Sequence, residues 1–245
     1  MKTLKNFIAL VAILLTGLTS SAQTADEIIN IYIEKIGGKE RLSKVNSLKK
    51  KMIVNSYGIE IPMEIYNSTS GKTYVKINIS GKEITESAFD GKKGWRTDLY
   101  SMKVEKLDNE AINNQLSQAN DFPDPFYNYI KKGYKAEFLG KEFKEDIEYF
   151  KIKLTKTPIF VAGKKEENIC YYYFDTKTHL PMIIETEIKE GPAKGVITPT
   201  FIRNYQKMDG LLFPHEMEDI ENVITINSIE INPIIDFKAF EMKTE

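Results

Sequence analysis

The sequence predicts a mostly β fold of the α+β class, built from antiparallel strands with a few short helices. Three observations predict it. Apolar and polar residues alternate with a period of two over many short segments, which is typical of strands with one buried face. Turn-forming residues separate these segments, and connections so short join antiparallel strands. Helical periodicity is confined to an N-terminal segment and a central insert.

The first residues predict a secretory signal peptide over residues 1–22. Lys2 and Lys5 precede an apolar run over residues 7–18, and small residues follow it. That run is shorter than the roughly 18 apolar residues that a membrane span needs. We therefore expect export with cleavage near Ala22-Gln23, and no integral membrane segment. The remaining residues, 23–245, are predicted to form a single domain.

Charge and cysteine content exclude several classes of protein. The chain has 34 Lys and Arg residues against 35 Asp and Glu residues, interspersed, with "LKKK" (48–51) as the longest basic cluster. This distribution argues against a nucleic-acid partner. Cys170 is the only cysteine, so an intramolecular disulfide is excluded.

The segment "TADEIINIYIEKIGG" predicts a helix with both ends specified. Thr24 and Glu27 form a capping-box pattern, and the Gly37-Gly38 pair supplies the C-terminal stop. Isoleucines recur at helical spacing, so one face of this helix is expected to dock on an apolar surface.

Strict alternation begins after this helix. In "IEIPMEIY" and "KTYVKINIS" every second residue is apolar, and the breaks "SYG", "STSG" and "ISGKE" are turn sequences. The stretch "AFDGKKGWRTD" continues this meander as a hairpin, because Asp90 can cap a turn and Gly91 permits positive φ. Phe89 and Trp95 flank the turn and are expected to pair across it.

A central insert separates two strand-rich halves. "LDNEAINNQLSQAN" (107–120) is amphipathic, and "DFPDPFYNYIKKGY" follows, where Pro125 is expected to open a further helix and Gly133 to close it. The second half returns to alternating segments. The whole chain therefore predicts around ten strands and three or four short helices.

So few helices cannot cover the apolar faces of ten strands. The sheet must fold on itself as a sandwich, close as a barrel, or curl around a cavity partly covered by the helices. Periodicity alone leaves these three possibilities open.

Motifs of catalysis and cofactor binding are missing from the sequence. The segment "HEMED" begins at His215, but it has Asp219 where a zinc-protease helix has its second histidine, and its surroundings are strand-like. The sequence contains neither a nucleophile elbow nor a phosphate loop. We therefore expect a protein that is not an enzyme and that uses no cofactor or metal. Its notable feature is the content of 13 Tyr, 13 Phe and 8 Met residues, since Met suits surfaces that accept variable apolar ligands.

The order of several segments resembles a known family. "TADEIINIYIEKIGGKERLSKVNSLK", "FDGKKGW", "YYFDTKTHLPMIIETE", "NYQKMDGLLFPHEME" and "SIEINPIIDFKAFEM" together resemble the outer-membrane lipoprotein-sorting (LolA-like) proteins of Bacteroidetes-type bacteria. The resemblance implies a single curved antiparallel sheet, a half-barrel, with helices covering its concave apolar face. It also implies a periplasmic carrier that shields acyl chains of lipoproteins or other lipids in an apolar cavity during transfer toward the outer membrane. Envelope transfer proteins would be its partners.

The alternating pattern nominates residues for the cavity wall. The candidates are apolar or aromatic residues of the strands, the hairpin and the central insert: Met52, Val54, Ile61, Met63, Ile77, Phe89, Trp95, Phe126, Tyr127, Ile130, Phe150 and Ile152. The alternative is a non-enzymatic envelope interaction module that uses the same fold with a solid core and no lipid cargo.

Overall fold

The computed structural model describes residues 23–242, so the predicted signal peptide lies outside the described residues. Within this range there are three α-helices, α1 (Ala25–Lys35), α2 (Gly38–Leu42) and α3 (Asn109–Ala119), and a 3₁₀ helix (Phe237–Phe240). The strands are β1 (Ser47–Ser56), β2 (Ile59–Ser68), β3 (Thr73–Ile79), β4 (Lys82–Phe89), β5 (Gly94–Thr97), β6 (Val104–Lys106), β7 (Lys135–Lys144), β8 (Ile147–Val161), β9 (Lys164–Asp175), β10 (Pro181–Glu187), β11 (Ile197–Met208), β12 (Leu211–Glu218) and β13 (Asn222–Ile231).

All described strands belong to one open antiparallel sheet. Its order is β6-β5-β4-β3-β2-β1-β13-β12-β11-β10-β9-β8-β7. The chain builds one half outward from β1, crosses over through α3 and builds the other half back, so that β13 pairs with β1. This topology decides among the three predicted architectures: the described strands form a single sheet that does not close into a barrel. The described residues form thirteen strands where about ten were predicted, and the count includes short strands such as β5 and β6.

The position of α3 requires the sheet to curl. The Asn114 side chain exchanges hydrogen bonds with the Phe160 backbone of β8, at 2.7 and 2.8 Å. Five residues further along α3, Ala119 lies beside Gly71 of the β2–β3 turn. In a flat sheet β2 and β8 would be seven strand spacings apart, roughly 33 Å, whereas five residues of helix rise only about 7.5 Å and a helix is about 10–12 Å wide. The sheet is therefore curved, and α3 lies across its concave side.

Helix α1 covers one half of the concave face. Its capping box is formed as predicted: Thr24 Oγ1 accepts from the Glu27 N–H at 3.2 Å, and Glu27 Oε2 accepts from the Thr24 N–H at 3.0 Å. The apolar face of α1 packs in one core with β8 and β9, where Ile152, Leu154 and Phe174 are fully buried.

A smaller cluster lies on the convex face. Register aligns Tyr66 with Tyr74, Tyr74 with Ala88, and Ala88 with Trp95, and Phe240 of the 3₁₀ helix covers them. The residues next to Tyr66 on β2 point to the main core instead, so this cluster is on the opposite side of the sheet.

Two local predictions require correction. The segment from Pro125 to Gly133 forms consecutive turns and not a helix, with Asn128 at a φ of 54°. In the hairpin, Asp90 Oδ1 caps the turn as expected, but Phe89 pairs with Gly94, and Trp95 pairs with Ala88. Phe89 and Trp95 therefore point to opposite faces of the sheet.

Truncation of α1 at its buried face should destabilise the fold. Ile28 is 0% exposed, and we expect Ile28→Ala to lower the free energy of unfolding by about 2–5 kcal/mol, since it removes apolar contacts and leaves a cavity. Ile31, on the same helix, is 38% exposed, so Ile31→Ala should cost about 0.5 kcal/mol or less. Urea unfolding followed by circular dichroism measures both; equal losses would contradict the described docking of α1.

Candidate functional site

An apolar groove runs along the concave face where α1 does not cover the sheet. It has a volume of about 420 Å³, and strands β1, β2, β12 and β13 form its floor. Its apolar lining residues are Met52, Val54, Met63, Ile65, Met217, Ile224 and Ile226. Cross-strand pairing holds these side chains together, because Met52 lies opposite both Met63 and Ile226.

Two further cavities adjoin this groove. One, of about 300 Å³, lies between α1, the sheet and the α3–β7 loop (residues 120–134), with walls that include Tyr32, Phe126 and Tyr205. The other, of about 280 Å³, lies beside α3 and is more polar, with Gln115 and Gln118 among its lining residues.

Lys50 lines the groove and both cavities. It occupies the inward-facing position of β1 between Leu48 and Met52, so an ammonium group stands where the alternation of the strand calls for an apolar side chain. The three spaces meet at this lysine, and we refer to them together as the Lys50 cavity.

Asp124 provides a carboxylate in the wall of the Lys50 cavity. Its Oδ2 accepts from the Tyr32 hydroxyl at 2.6 Å, and its Oδ1 accepts from the backbone N–H groups of Phe126 at 2.8 Å and Tyr127 at 3.3 Å. Burial raises the pKa of Asp124 above its ordinary value, and these hydrogen bonds offset part of that effect. The same environment raises the pKa of Tyr32 well above its ordinary value, chiefly through burial.

Burial also lowers the pKa of Lys50, while the attraction of Asp124 opposes that shift. A second carboxylate of the wall, Asp121, is already engaged: Lys156 Nζ lies 2.7 Å from its Oδ2, and the Tyr134 hydroxyl donates to its Oδ1 at 2.9 Å. The polar part of the cavity lining thus contains a lysine and two carboxylates that have other partners.

Exposed apolar side chains flank one end of the groove. Ser56 of β1 pairs with Asn222 of β13, a groove-lining residue, so the turns β1–β2 and β12–β13 are neighbours there. These turns and the start of β2 expose Tyr57 (79%), Ile59 (66%) and Ile220 (71%). We call these three residues the apolar rim.

The structure brings part of the predicted set together. Met52, Val54 and Met63 line the groove, and Phe126 lines the adjoining cavity. Ile61 lies opposite Val54 and Ile77 opposite Met63, so both are on the groove face of the sheet although they lie outside its lining.

Other predicted residues lie elsewhere. Phe150 and Ile152 are buried in the core with α1, and Tyr127 packs against that core. Ile130 is 68% exposed, on the outer surface of the α3–β7 loop. Phe89 is fully buried near the hairpin glycine Gly94.

Trp95 lies on the convex face, away from the groove. Its indole N–H donates to the Phe240 carbonyl at 3.0 Å, which ties the C-terminal 3₁₀ helix to the sheet. The residue also borders a separate pocket with Phe237 and Leu107 at the sheet edge. Trp95 is therefore outside the candidate site.

Sequence reasoning missed several residues of the site. Ile65, Ile224 and Ile226 follow the same alternation as the residues that were chosen; Ile65 was passed over on β2, and β13 contributed no candidate. Lys50 had a detectable signal, since it interrupts the apolar positions of β1. Asp124 stands between two prolines in an aromatic segment, a turn-forming setting that gave no signal of a cavity wall.

His215 is a structural residue of β12. Its ring is buried, and Nδ1 lies 2.8 Å from the Ile226 carbonyl of the neighbouring strand. Within residues 23–242, no three His, Cys, Asp or Glu side chains are grouped to hold a metal ion. The helices in this range are also too short or too polar to cross a membrane.

Three solved structures share the fold of this chain. A DUF1329 family protein from Desulfovibrio piger is 12% identical with a TM-score of 0.55, covering 90% of this chain and 98% of its own. A LolA superfamily protein from Nitrosomonas europaea is 15% identical with a TM-score of 0.55, covering 90% and 99%. A putative outer membrane lipoprotein-sorting protein domain from Vibrio parahaemolyticus is 13% identical with a TM-score of 0.53, covering 88% and 97%.

These likenesses show that the chain has the LolA-like fold that the sequence predicted; the narrower Bacteroidetes-type branch stays a prediction. No protein-family model and no curated protein sequence matches the chain.

The raised pKa of Asp124 makes its contribution to stability depend on pH. Below the pKa of about 3.9 in the unfolded chain, both states are protonated and the buried carboxyl carries no penalty. As pH rises through the raised pKa of the folded state, the carboxylate ionises in the cavity wall, and stability is lost. We therefore expect Asp124→Asn to be more favourable relative to the parent at pH 8 than at pH 4. Urea titrations at both pH values measure this, and a difference of the opposite sign would contradict the assignment.

Proposed function

We propose that this chain is an exported, periplasmic carrier that holds acyl chains of a lipid or lipoprotein in the concave groove during transfer toward the outer membrane. The observation that carries the proposal is the groove of about 420 Å³ with seven apolar lining residues on the inner face of a curved sheet. The proposal is supported by the fold, which is shared with a protein described as a putative outer membrane lipoprotein-sorting domain.

The groove has the physical properties that acyl binding requires. Burial of each CH₂ contributes about 0.8 kcal/mol, so ten methylenes supply about 8 kcal/mol before the entropic cost of binding. Three of the lining residues are Met52, Met63 and Met217, whose flexible thioethers adapt to chains of differing shape. The groove volume falls within the range of about 300–1,000 Å³ that ligand pockets occupy.

An interaction module without lipid cargo predicts a solid core on the same fold. The buried core includes residues of β1 and β13, but the inner face of β1, β2, β12 and β13 also keeps a groove of about 420 Å³. This observation favours the carrier.

The apolar rim is placed where cargo would enter. Tyr57, Ile59 and Ile220 are exposed at the end of the groove, and exposed apolar side chains in a cluster indicate contact with a membrane or a partner. We propose that the rim touches the donor or acceptor lipid surface, so that an acyl chain reaches the groove without crossing water.

A charge in the groove should abolish acyl binding. Ile224 lines the groove, whereas the adjacent Val223 is 47% exposed and lies on the other face of β13. We expect Ile224→Glu to weaken binding of dansylaminoundecanoic acid by tenfold or more, since the new carboxylate needs water where the alkyl chain lies. Val223→Glu should bind like the parent, as measured by dansyl emission.

The same proteins provide the test of cargo. Lipids extracted from the parent protein, purified from its native envelope, are identified by mass spectrometry, and Ile224→Glu should carry less of them than Val223→Glu. Circular dichroism checks that both variants fold. If Ile224→Glu does not fold, Met63→Gln is the milder replacement. Absence of acyl-containing molecules from the parent, together with no dansyl probe binding, would contradict the carrier.

Changes to the rim should slow transfer without weakening binding. We expect Tyr57→Asp combined with Ile220→Asp to reduce the rate of transfer of a fluorescent fatty acid between vesicles severalfold, because charged residues there are repelled from the apolar surface. Tyr100 is fully exposed in the β5–β6 turn, and Tyr100→Asp is the matched control. Equal transfer rates for all three proteins would exclude a role for the rim.

A further inference from the structure

The Lys50 cavity contains a cation without a fixed partner. No hydrogen bond or ion pair within residues 23–242 involves Lys50 Nζ, although fifteen ion pairs are formed there by other side chains. The side chain lines the apolar groove and both adjoining cavities. An ammonium group in such surroundings costs free energy unless an anion accompanies it.

The carboxylates of the cavity wall do not meet this need. Asp124 accepts hydrogen bonds from Tyr32 and from two backbone N–H groups, and its carbonyl oxygen accepts from Lys132 Nζ at 2.7 Å. Asp121 is paired with Lys156. Asp124 attracts Lys50 through space, but both carboxylates are held by groups of their own.

The other cation of the wall has a partner of a different kind. Lys72 lines the polar cavity, and its Nζ lies 4.3 Å from the centre of the Phe237 ring, a cation–π contact. Lys50 therefore differs from Lys72, Lys132 and Lys156, each of which has a defined partner. Its position next to Met52 and Ile65 places the charge at the edge of the apolar floor.

We propose that Lys50 binds the anionic head, a carboxylate or phosphate, of an amphiphile whose alkyl chain lies in the groove. This inference rests on the proposed acyl-binding function and deepens it by naming the ligand class: a lipid with a negative charge next to its tail, in preference to a neutral acyl group. A charge-assisted hydrogen bond from Nζ to the head fixes the depth at which the tail enters the groove.

The lowering of the Lys50 pKa by burial agrees with this geometry. Burial lowers the pKa of Lys50 because the cavity disfavours its charged form, with Asp124 opposing. An anionic head adds a second opposing charge and restores the ammonium. The bound amphiphile thus supplies the anionic partner that Lys50 lacks in the protein alone.

Calorimetric titration of the mature protein with four probes tests the inference: decanoate, decyl phosphate, decanol and inorganic phosphate. We expect the parent to bind decanoate or decyl phosphate tenfold or more tightly than decanol, a ratio typical of a charge-assisted hydrogen bond. In Lys50→Met, which keeps the length of the side chain, the ratio should fall to about one, while decanol binds as in the parent. Lys51 is the next residue of β1, and its side chain is 57% exposed, so Lys51→Met should keep the ratio.

Each contrary result has a distinct meaning. Equal binding of decanoate and decanol by the parent overturns the role of Lys50 and leaves the carrier intact. Binding of neither overturns both. A preference that survives in Lys50→Met, or that Lys51→Met also loses, overturns the assignment to Lys50. Binding of inorganic phosphate alone, with dependence on Lys50 and no added affinity from the decyl chain, would show a site for a free anion and overturn the amphiphile.

Discussion

The structure depends on the unequal covering of one apolar surface. Over the described residues a sheet of thirteen strands presents a concave face that only three short helices and one loop cover. Helix α1 and strands β8 and β9 contribute to one buried core, which also includes Met52 and Val54 of β1 and Ile226 of β13. No residue of α1 lines the groove over β1, β2, β12 and β13, and the curvature of the sheet gives this apolar floor a concave shape. The same side chains therefore belong to the core and form the wall of the groove.

A backbone hydrogen bond attaches the C-terminal end of α1 to the sheet. At the end of α1 the Ile36 carbonyl accepts from the Leu212 N–H at 3.0 Å, which ties the helix to β12. Gly37 follows at a φ of 129°, and an added Cβ would lie 2.6 Å from Leu211 Cδ2. Only glycine allows this close approach of helix and strand. The contact fixes the position of the C-terminal end of α1 relative to β12.

The sequence predicted the strands, the capped helix and the curved architecture, because these depend on local periodicity and on segments with a recognisable order. Alternation on β1 and β2 predicted that Met52 and Met63 share a face, and in the structure they lie opposite each other, while their role in ligand binding stays a prediction. It could not determine which inward-facing residues line open volume: Phe150 and Met52 have equivalent patterns and are buried in one core, and only the three-dimensional packing leaves Met52 at the wall of the groove. The Trp95 placement depended on register, since a shift of one residue in the hairpin moves the side chain to the other face.

Lys50 is a charged residue at an inward position of β1, between the buried core residues Leu48 and Met52. Its side chain borders three cavities, one of which lies beside α1, so its charge is tolerated, at a cost in stability that an apolar residue would not carry. A position that lowers stability without a structural partner is more readily explained by a ligand than by folding. The proposed carrier thus combines a floor that accepts any alkyl chain with a single charge that distinguishes one class of head from another.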